Sequence, residues 1–274
     1  EAPRPQPGQR SIPLPLHRVW VTYALLAAVG VVFLAQLVVA PFEGDVDPII
    51  NWGAKVNDLI VAGQLWRLVT PIFIHASLTH FLFNAYALFV FGRTIEATYG
   101  ALRLLVLFFF AGLGGTVASL WLNASPSVGA SGAIFGLFAA EAVLLWRNRR
   151  LLGKVANRQL QELLILAGVN LFIALVPGSR IDLSGHIGGT LAGALMAFWI
   201  GPIWQVGPIQ QVGPIQPVGP SEVVFGQLEA RDTQPFSLLR ALGVAVLYGG
   251  LLVIAGAYIA LAWLQPNALP GILG

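Results

Sequence analysis

The sequence predicts an all-α protein, a polytopic membrane helix bundle with a six-helix core and a seventh, C-terminal transmembrane helix. Of its 274 residues, 57% are hydrophobic and 10% are charged, whereas about a quarter of the residues in a soluble domain are charged. The apolar residues form runs whose lengths approach the roughly 20 residues that cross a bilayer. Such a chain has more apolar surface than one soluble core can bury, so much of it must face lipid.

Seven apolar runs predict the spanning helices: 19–42, 81–92, 104–122, 129–146, 163–176, 183–204 and 241–265. The second run is short, and we expect its helix to extend beyond both ends. The runs divide the chain into a cytoplasmic tail (1–18), the six-helix core (19–204), a linker (205–237), the seventh helix (238–265) and a C-terminal tail (266–274).

Two connections between the runs are long. The loop at 41–78 carries aromatic patches, so we expect it to be structured, either as an ordinary folded loop or along the membrane surface. The segment 205–220 repeats the string Gln-Val-Gly-Pro-Ile-Gln. Because Gly and Pro at this frequency stop a helix, we interpret 205–237 as a cytoplasmic linker without chemistry of its own.

The positive charges predict the orientation. If 1–18 is cytoplasmic, twelve of the fifteen Lys and Arg residues lie on the cytoplasmic side, and only Lys55, Arg67 and Arg180 lie on the other. Cytoplasmic segments are enriched in these residues, so the N-terminus is predicted to be cytoplasmic. The same placement explains the net charge of +3 without a nucleic-acid partner. No organelle-targeting segment is apparent, and a prokaryotic plasma membrane is the predicted location.

Four polar residues stand in the predicted spanning segments: His80 and Asn84 early in the second helix, Ser131 early in the fourth and His186 early in the sixth. Polar side chains are costly in lipid, so each marks a candidate functional site. All three helices run from outside to inside in this orientation. Their polar residues therefore share one depth near the outer surface, which predicts a single site that water reaches from outside.

Glycines predict how this site is assembled. Gly132 lies four residues before Gly136 in the fourth helix, and Gly185, Gly189 and Gly193 have the same spacing in the sixth. Small residues at this spacing let two helices pack closely, which would bring Ser131 and His186 within hydrogen-bond reach. A serine beside a histidine is an activated nucleophile. The backbone N–H of Ser131 and the side chains of His80 and Asn84 could then stabilise an oxyanion.

Other interpretations of these residues remain open at this point. Ser131 could simply cap its helix. A metal site built from His75, His80 and His186 is conceivable, but the His-Glu-x-x-His spacing is missing, and we predict neither metal nor cofactor. The sequence has no cysteine, so disulfides and thiolate chemistry are excluded. A transporter would be favoured by inverted repeats, and we find none.

Four strings in order resemble the rhomboid intramembrane proteases over about residues 60–205: Trp66-Arg67, His75-x4-His80-x3-Asn84, Gly129-Ala130-Ser131-Gly132 and Gly185-His186-Ile187-Gly188-Gly189-x3-Gly193. The resemblance implies a catalytic dyad of Ser131 and His186 without an essential acid. It assigns His80 and Asn84 to the oxyanion hole and makes Gly129 adjacent to the substrate.

The resemblance also implies supporting roles. Phe135 would stack on His186 and orient it in place of an aspartate, while Asp182 is interpreted as a helix cap. Trp66, Arg67 and His75 would fix the first outer loop. The implied partners are the lipid bilayer and single-span transmembrane substrates, cut near the outer boundary after a small residue. The alternative is a non-proteolytic rhomboid-like protein that binds membrane clients; such relatives typically lack one member of the catalytic pair.

Overall fold

The computed structural model describes residues 16–39, 47–208 and 228–263. The elements are α1 (Val21–Val39), α2 (Pro48–Gly53), α3 (Asn57–Val61), two 3-10 helices (Leu65–Leu68 and Thr70–Phe73), α4 (Leu78–Tyr99), α5 (Ala101–Leu122), α6 (Ser131–Arg147), α7 (Arg149–Leu152), α8 (Lys154–Leu175), α9 (Leu183–Ile200), β1 (Trp204–Pro208), β2 (Leu228–Asp232) and α10 (Leu238–Trp263). Within these described ranges, α1, α5, α8 and α9 are each long and apolar enough to cross a membrane. The predicted polytopic helical fold is confirmed, and the division into domains stays a prediction.

Apart from the second helix, which extends beyond its apolar run as expected, two helix ends differ from the predicted ones by four residues or more. The fifth predicted helix, 163–176, begins earlier in the structure, because α8 starts at Lys154 and its first turns are polar. The apolar run in the sequence therefore marked only the part of α8 that is apolar enough to face lipid. The sixth predicted helix, 183–204, ends earlier, because α9 stops at Ile200 before the pair Gly201-Pro202. Proline disfavours helical geometry in the residue before it.

The segment 205–237 is more than the predicted linker. Strands β1 and β2 pair antiparallel, with Trp204 opposite Asp232 and Val206 opposite Ala230. Trp204 and Ala230 are buried against the helical core, which explains why a strand pair forms where the composition indicated only turns. Most of the repeats fall at 209–227, outside the described residues.

Helices α5, α6 and α9 form the centre of the bundle, and glycines set their separation. A Cβ built on Gly189 would lie 2.1 Å from the main-chain oxygen of Gly132, and one built on Gly193 would lie 2.3 Å from the Cα of Gly136. These positions admit no side chain, because the atoms in the way belong to the backbone of α6. The predicted glycine-faced packing of these two helices is therefore present.

The buried carboxylate of Glu96, in α4, caps the first turn of α1. Its oxygens accept hydrogen bonds from the backbone N–H groups of Trp20, Val21 and Thr22 at 2.7–2.9 Å, and from the Thr22 hydroxyl at 2.7 Å. The first N–H groups of a helix have no partner inside it, and a negative charge there is favourable. Glu96 thereby joins the first and second long helices.

We expect Glu96→Gln to lower the free energy of unfolding by about 3 kcal/mol, because the amide NH₂ would face buried N–H donors. Glu162→Gln is the matched control. Glu162 pairs with Arg158 on the surface of α8, and exposed pairs contribute about 1 kcal/mol or less. Unfolding in detergent, followed by circular dichroism, measures both. Equal stability of the two variants would contradict the capping role.

Candidate active site

Ser131 is the first residue of α6, and the loop before it is held in place. Gly129 has a φ of 124°, a conformation that residues with a side chain rarely adopt, and its N–H donates to the Pro71 oxygen at 2.8 Å. Ala130 occupies the N-cap position, without a side-chain hydrogen bond. The interpretation of Ser131 as a helix cap is therefore wrong. Its Oγ lies instead 2.8 Å from Nε2 of His186.

His186 lies in the first turns of α9. Its ring stacks on Phe135, with the ring centroids 4.3 Å apart and the planes inclined by 23°. Phe135 is one helical turn after Ser131 on α6, so one face of α6 carries both the hydroxyl and the ring that contacts the imidazole. The structure therefore brings Ser131, His186 and Phe135 together, as predicted.

Asp182 is the N-cap of α9, and this prediction is confirmed. Its carboxylate accepts hydrogen bonds from the Gly185 N–H at 3.0 Å, from the Ser184 hydroxyl at 2.7 Å, and from the Ser119 hydroxyl of α5. Burial opposes its ionisation, but these hydrogen bonds outweigh burial and lower the pKa of Asp182 to about 2. Because the pKa of Asp182 is lower in the folded protein than in the unfolded chain, its carboxylate stabilises the fold. This contribution is present above about pH 4 and is lost as the pH falls toward 2.

His80 lies near the N-terminal end of α4, beside the loop that precedes Ser131, and Asn84 follows one helical turn later. A Cβ on Gly129 would lie 2.7 Å from both Cε1 and Nε2 of His80, so the imidazole occupies the space that glycine leaves. The Asn84 Nδ2 donates to the His80 main-chain oxygen at 2.9 Å. An amide NH₂ has two hydrogens, and this bond uses one of them. The oxyanion-hole roles of His80 and Asn84 stay a prediction.

A small cavity of about 30 Å³ adjoins Ser131 and His186. This is enough room to hold a water molecule. One wall comes from α5, through Gly112, Gly115 and Ser119. The sequence analysis did not assign this wall to the site, although the small residues of α5 were a signal that another helix approaches closely.

The loop region between α1 and α4 is built around Arg67, which is 4% exposed. Its guanidinium donates to the main-chain oxygens of Ala54 at 2.8 Å and Asn51 at 2.9 Å, and to the Gln64 side chain at 2.7 Å. Trp66 stacks on Trp52, with centroids 5.9 Å apart. These contacts agree with the structural role that the resemblance implied for Trp66 and Arg67.

His75 links this loop to the site. Its ring meets the His80 ring edge-on at a centroid distance of 5.1 Å. Burial, followed by the neighbouring His80, lowers the pKa of His75 to about 4. At neutral pH, His75 is therefore an uncharged ring that packs against His80.

Lys55 is a structural residue that the sequence analysis missed. Its ammonium is buried and donates to the main-chain oxygens of Ser119, Asn123 and Ser125 at 2.7–3.3 Å, and to the Asn57 side chain at 3.0 Å. A cation at this point is favourable because α5 ends here. Burial lowers the pKa of Lys55, while Asp182 acts in the opposite direction. The available signal was that Lys55 is one of the three Lys and Arg residues predicted to lie outside.

Comparison with known proteins matches this chain to one family. The model of the Rhomboid domain matches residues 62–203. Rhomboid protease GluP of Bacillus subtilis is 37% identical over 155 residues, which cover 57% of this chain and 30% of GluP. Rhomboid-like protease 1 of Toxoplasma gondii is 34% identical over 150 residues, covering 53% and 50%. Rhomboid protease AarA of Providencia stuartii is 31% identical over 206 residues, covering 66% and 73%.

The chain thus spans less than a third of GluP but nearly three quarters of AarA. The matched region extends from the loop region between α1 and α4 to the end of α9, and so includes Ser131, His186, His80 and Asn84. Together with the apolar helices, the match identifies an integral, multi-pass membrane protein. The chain belongs to the rhomboid family.

Proposed function

We propose that this protein is an intramembrane serine endopeptidase that cleaves the transmembrane segments of single-span proteins. The observation that carries the proposal is the 2.8 Å separation between Ser131 Oγ and His186 Nε2 within a bundle of membrane helices. The relatives named as rhomboid proteases support it. The presence of both residues favours a protease over a non-proteolytic protein that binds membrane clients.

In the proposed mechanism, Ser131 Oγ attacks the scissile carbonyl while His186 Nε2 accepts the hydroxyl proton. The imidazolium then donates this proton to the leaving amine. Water next attacks the acyl-enzyme, with His186 again acting as the base, and Ser131 is regenerated. The face of Phe135, 4.3 Å from the imidazole, orients the ring and favours its cationic form.

The developing oxyanion would be held by three groups. The described hydrogen bonds of α6 begin with Ile134 N–H to the Ala130 oxygen, and the first N–H groups of a helix, including that of Ser131, have no partner within it. The helix dipole adds a favourable field. His80 and Asn84 supply the side-chain donors.

We expect His80→Ala to lower kcat by about 10²–10³-fold with a smaller effect on KM, because an oxyanion donor acts mainly in the transition state. The matched control is His17→Ala, which removes an exposed histidine outside the site. Steady-state cleavage of a fluorogenic transmembrane substrate measures both. A kcat within threefold of wild type for His80→Ala contradicts the assignment of His80.

The position of the site leads to a proposed substrate geometry. Ser131, His186 and His80 all lie in the first turns of their helices, and we propose that these ends face the exterior of a prokaryotic plasma membrane, with a cytoplasmic N-terminus. Cleavage would then occur near the outer boundary. A helical peptide bond is shielded by its own hydrogen bonds, so residues with poor helix propensity in the substrate would expose the carbonyl. We also propose a small residue before the cut.

The proposal is tested by reconstituting the protein in liposomes with a single-span substrate and by labelling with a fluorophosphonate. We expect wild type to produce two fragments and to be labelled at Ser131. Ser131→Ala should do neither, whereas Ser125→Ala, which removes an exposed serine of the preceding loop, should do both. A wild-type protein that binds the substrate without cutting it would support the client-binding alternative.

A further inference from the structure

Tyr248 marks the place where α10 meets the core. Its side chain is buried, and its hydroxyl donates a hydrogen bond of 2.9 Å to the main-chain oxygen of Gly188 in α9. Its ring also lies against Phe110 of α5, with the centroids 5.4 Å apart. The phenol therefore contacts both α5 and α9.

Glycines make room for this contact. A Cβ on Gly114 of α5 would lie 2.9 Å from Cε1 of Tyr248 and 2.6 Å from the Cβ of Ala192. A Cβ on Gly188 would in turn lie 2.8 Å from the Gly114 oxygen. The Tyr248 ring thus packs at the place where the backbones of α5 and α9 approach each other closely, around Gly114 and Gly188.

The chain just before α10 is fixed as well. Arg103 of α5 forms an ion pair with Asp232 at 2.8 Å, with only 5% of the Arg103 side chain exposed, and it also donates to the Gln234 main-chain oxygen. Arg147 of α6 donates to the Gln234 side chain at 2.9 Å. The segment leading into α10 is therefore held by the ends of two core helices.

The start of α9 is rich in glycine. Gly185, Gly188 and Gly189 surround His186 in the sequence, and glycine leaves a helix backbone with more conformational freedom than any other residue. Gly188 follows His186 by two positions. A hydrogen bond to its carbonyl therefore restrains the stretch of backbone that carries the imidazole.

We propose that α10 braces α9, and that Tyr248 acts through Gly188 as a positioning residue for His186. The catalytic consequence rests on the proposed protease function, whereas the brace itself does not. A displacement of about 1 Å in a reacting group can cost about 100-fold in rate. The loss of one hydrogen bond should allow only a fraction of that displacement.

The test uses Tyr248→Phe in the full chain, which removes the hydroxyl and keeps the ring. We expect faster amide hydrogen exchange in the peptide covering 183–192, together with a kcat about three- to tenfold lower at unchanged KM, as expected for one neutral hydrogen bond. The matched control is Tyr86→Phe, which removes an exposed phenol from α4. It should change neither quantity.

Each outcome decides a separate claim. Unchanged exchange at 183–192 in Tyr248→Phe overturns the brace, whatever the activity. Faster exchange with a wild-type kcat leaves the brace standing but overturns the positioning of His186. If wild type itself does not cleave, the proposed function fails, while faster exchange in the variant still supports the brace.

Discussion

Ser131→Ala is expected to lower kcat/KM for a transmembrane substrate by about 10⁴-fold or more, because no other group supplies the attacking oxygen. His186→Ala should cause a loss of the same order, since the Ser131 hydroxyl, 2.8 Å away, would no longer have a base to accept its proton. The activity that remains would come from the oxyanion donors and from binding alone.

The double variant gives the sharper result. If Ser131 and His186 act as one unit, removing both should cost no more than removing either, because such effects are strongly non-additive. Cleavage rates in proteoliposomes at saturating substrate measure all three variants, with Ser125→Ala and His17→Ala as the controls. Wild-type cleavage by either single variant would refute the mechanism.

The largest effect on stability is expected for Gly193→Ala. The new methyl group would meet the Cα, carbonyl carbon and oxygen of Gly136 at 2.3–2.6 Å, and none of these atoms can rotate away as a side chain would. We expect α6 and α9 to separate, with a loss of about 3 kcal/mol or more in the free energy of unfolding. Cleavage should fall as well, because the two helices carry Ser131 and His186. Thermal unfolding in detergent measures the first effect.

Gly168→Ala is the matched control. It lies in α8, with nothing within 4 Å of the added Cβ, and alanine has the higher helix propensity by about 1 kcal/mol. We expect it to be as stable as wild type or slightly more stable. A Gly193→Ala variant that unfolds at the same temperature as Gly168→Ala would show that the two helices do not need their close approach.

The helices and the approach of Ser131 to His186 could be predicted because each rests on a local pattern. Long apolar runs indicate spans, and the spacing of Gly185, Gly189 and Gly193 indicates one close-packed face. The roles of these residues in chemistry stay a prediction. The end of the sixth helix was misplaced because Trp204 is apolar but belongs to a strand.

Other features depend on contacts between residues far apart in the sequence. Glu96 lies near the C-terminal end of α4, and no residue near it in the sequence connects it with Thr22. Likewise, no residue near Lys55 or Tyr248 in the sequence indicates which distant groups these side chains contact. The strand pair was missed because Gly and Pro in the repeats indicate turns, whereas the strands form through burial of Trp204 and Ala230.

The capping of α1 by Glu96 has a consequence for biogenesis. When α1 leaves the ribosome it lacks the acceptor for its own leading amides, since that carboxylate is synthesised 74 residues after Thr22. Until α4 arrives, those amides must stay in contact with water or lipid headgroups. The cap of α1 can therefore form only when translation has delivered α4.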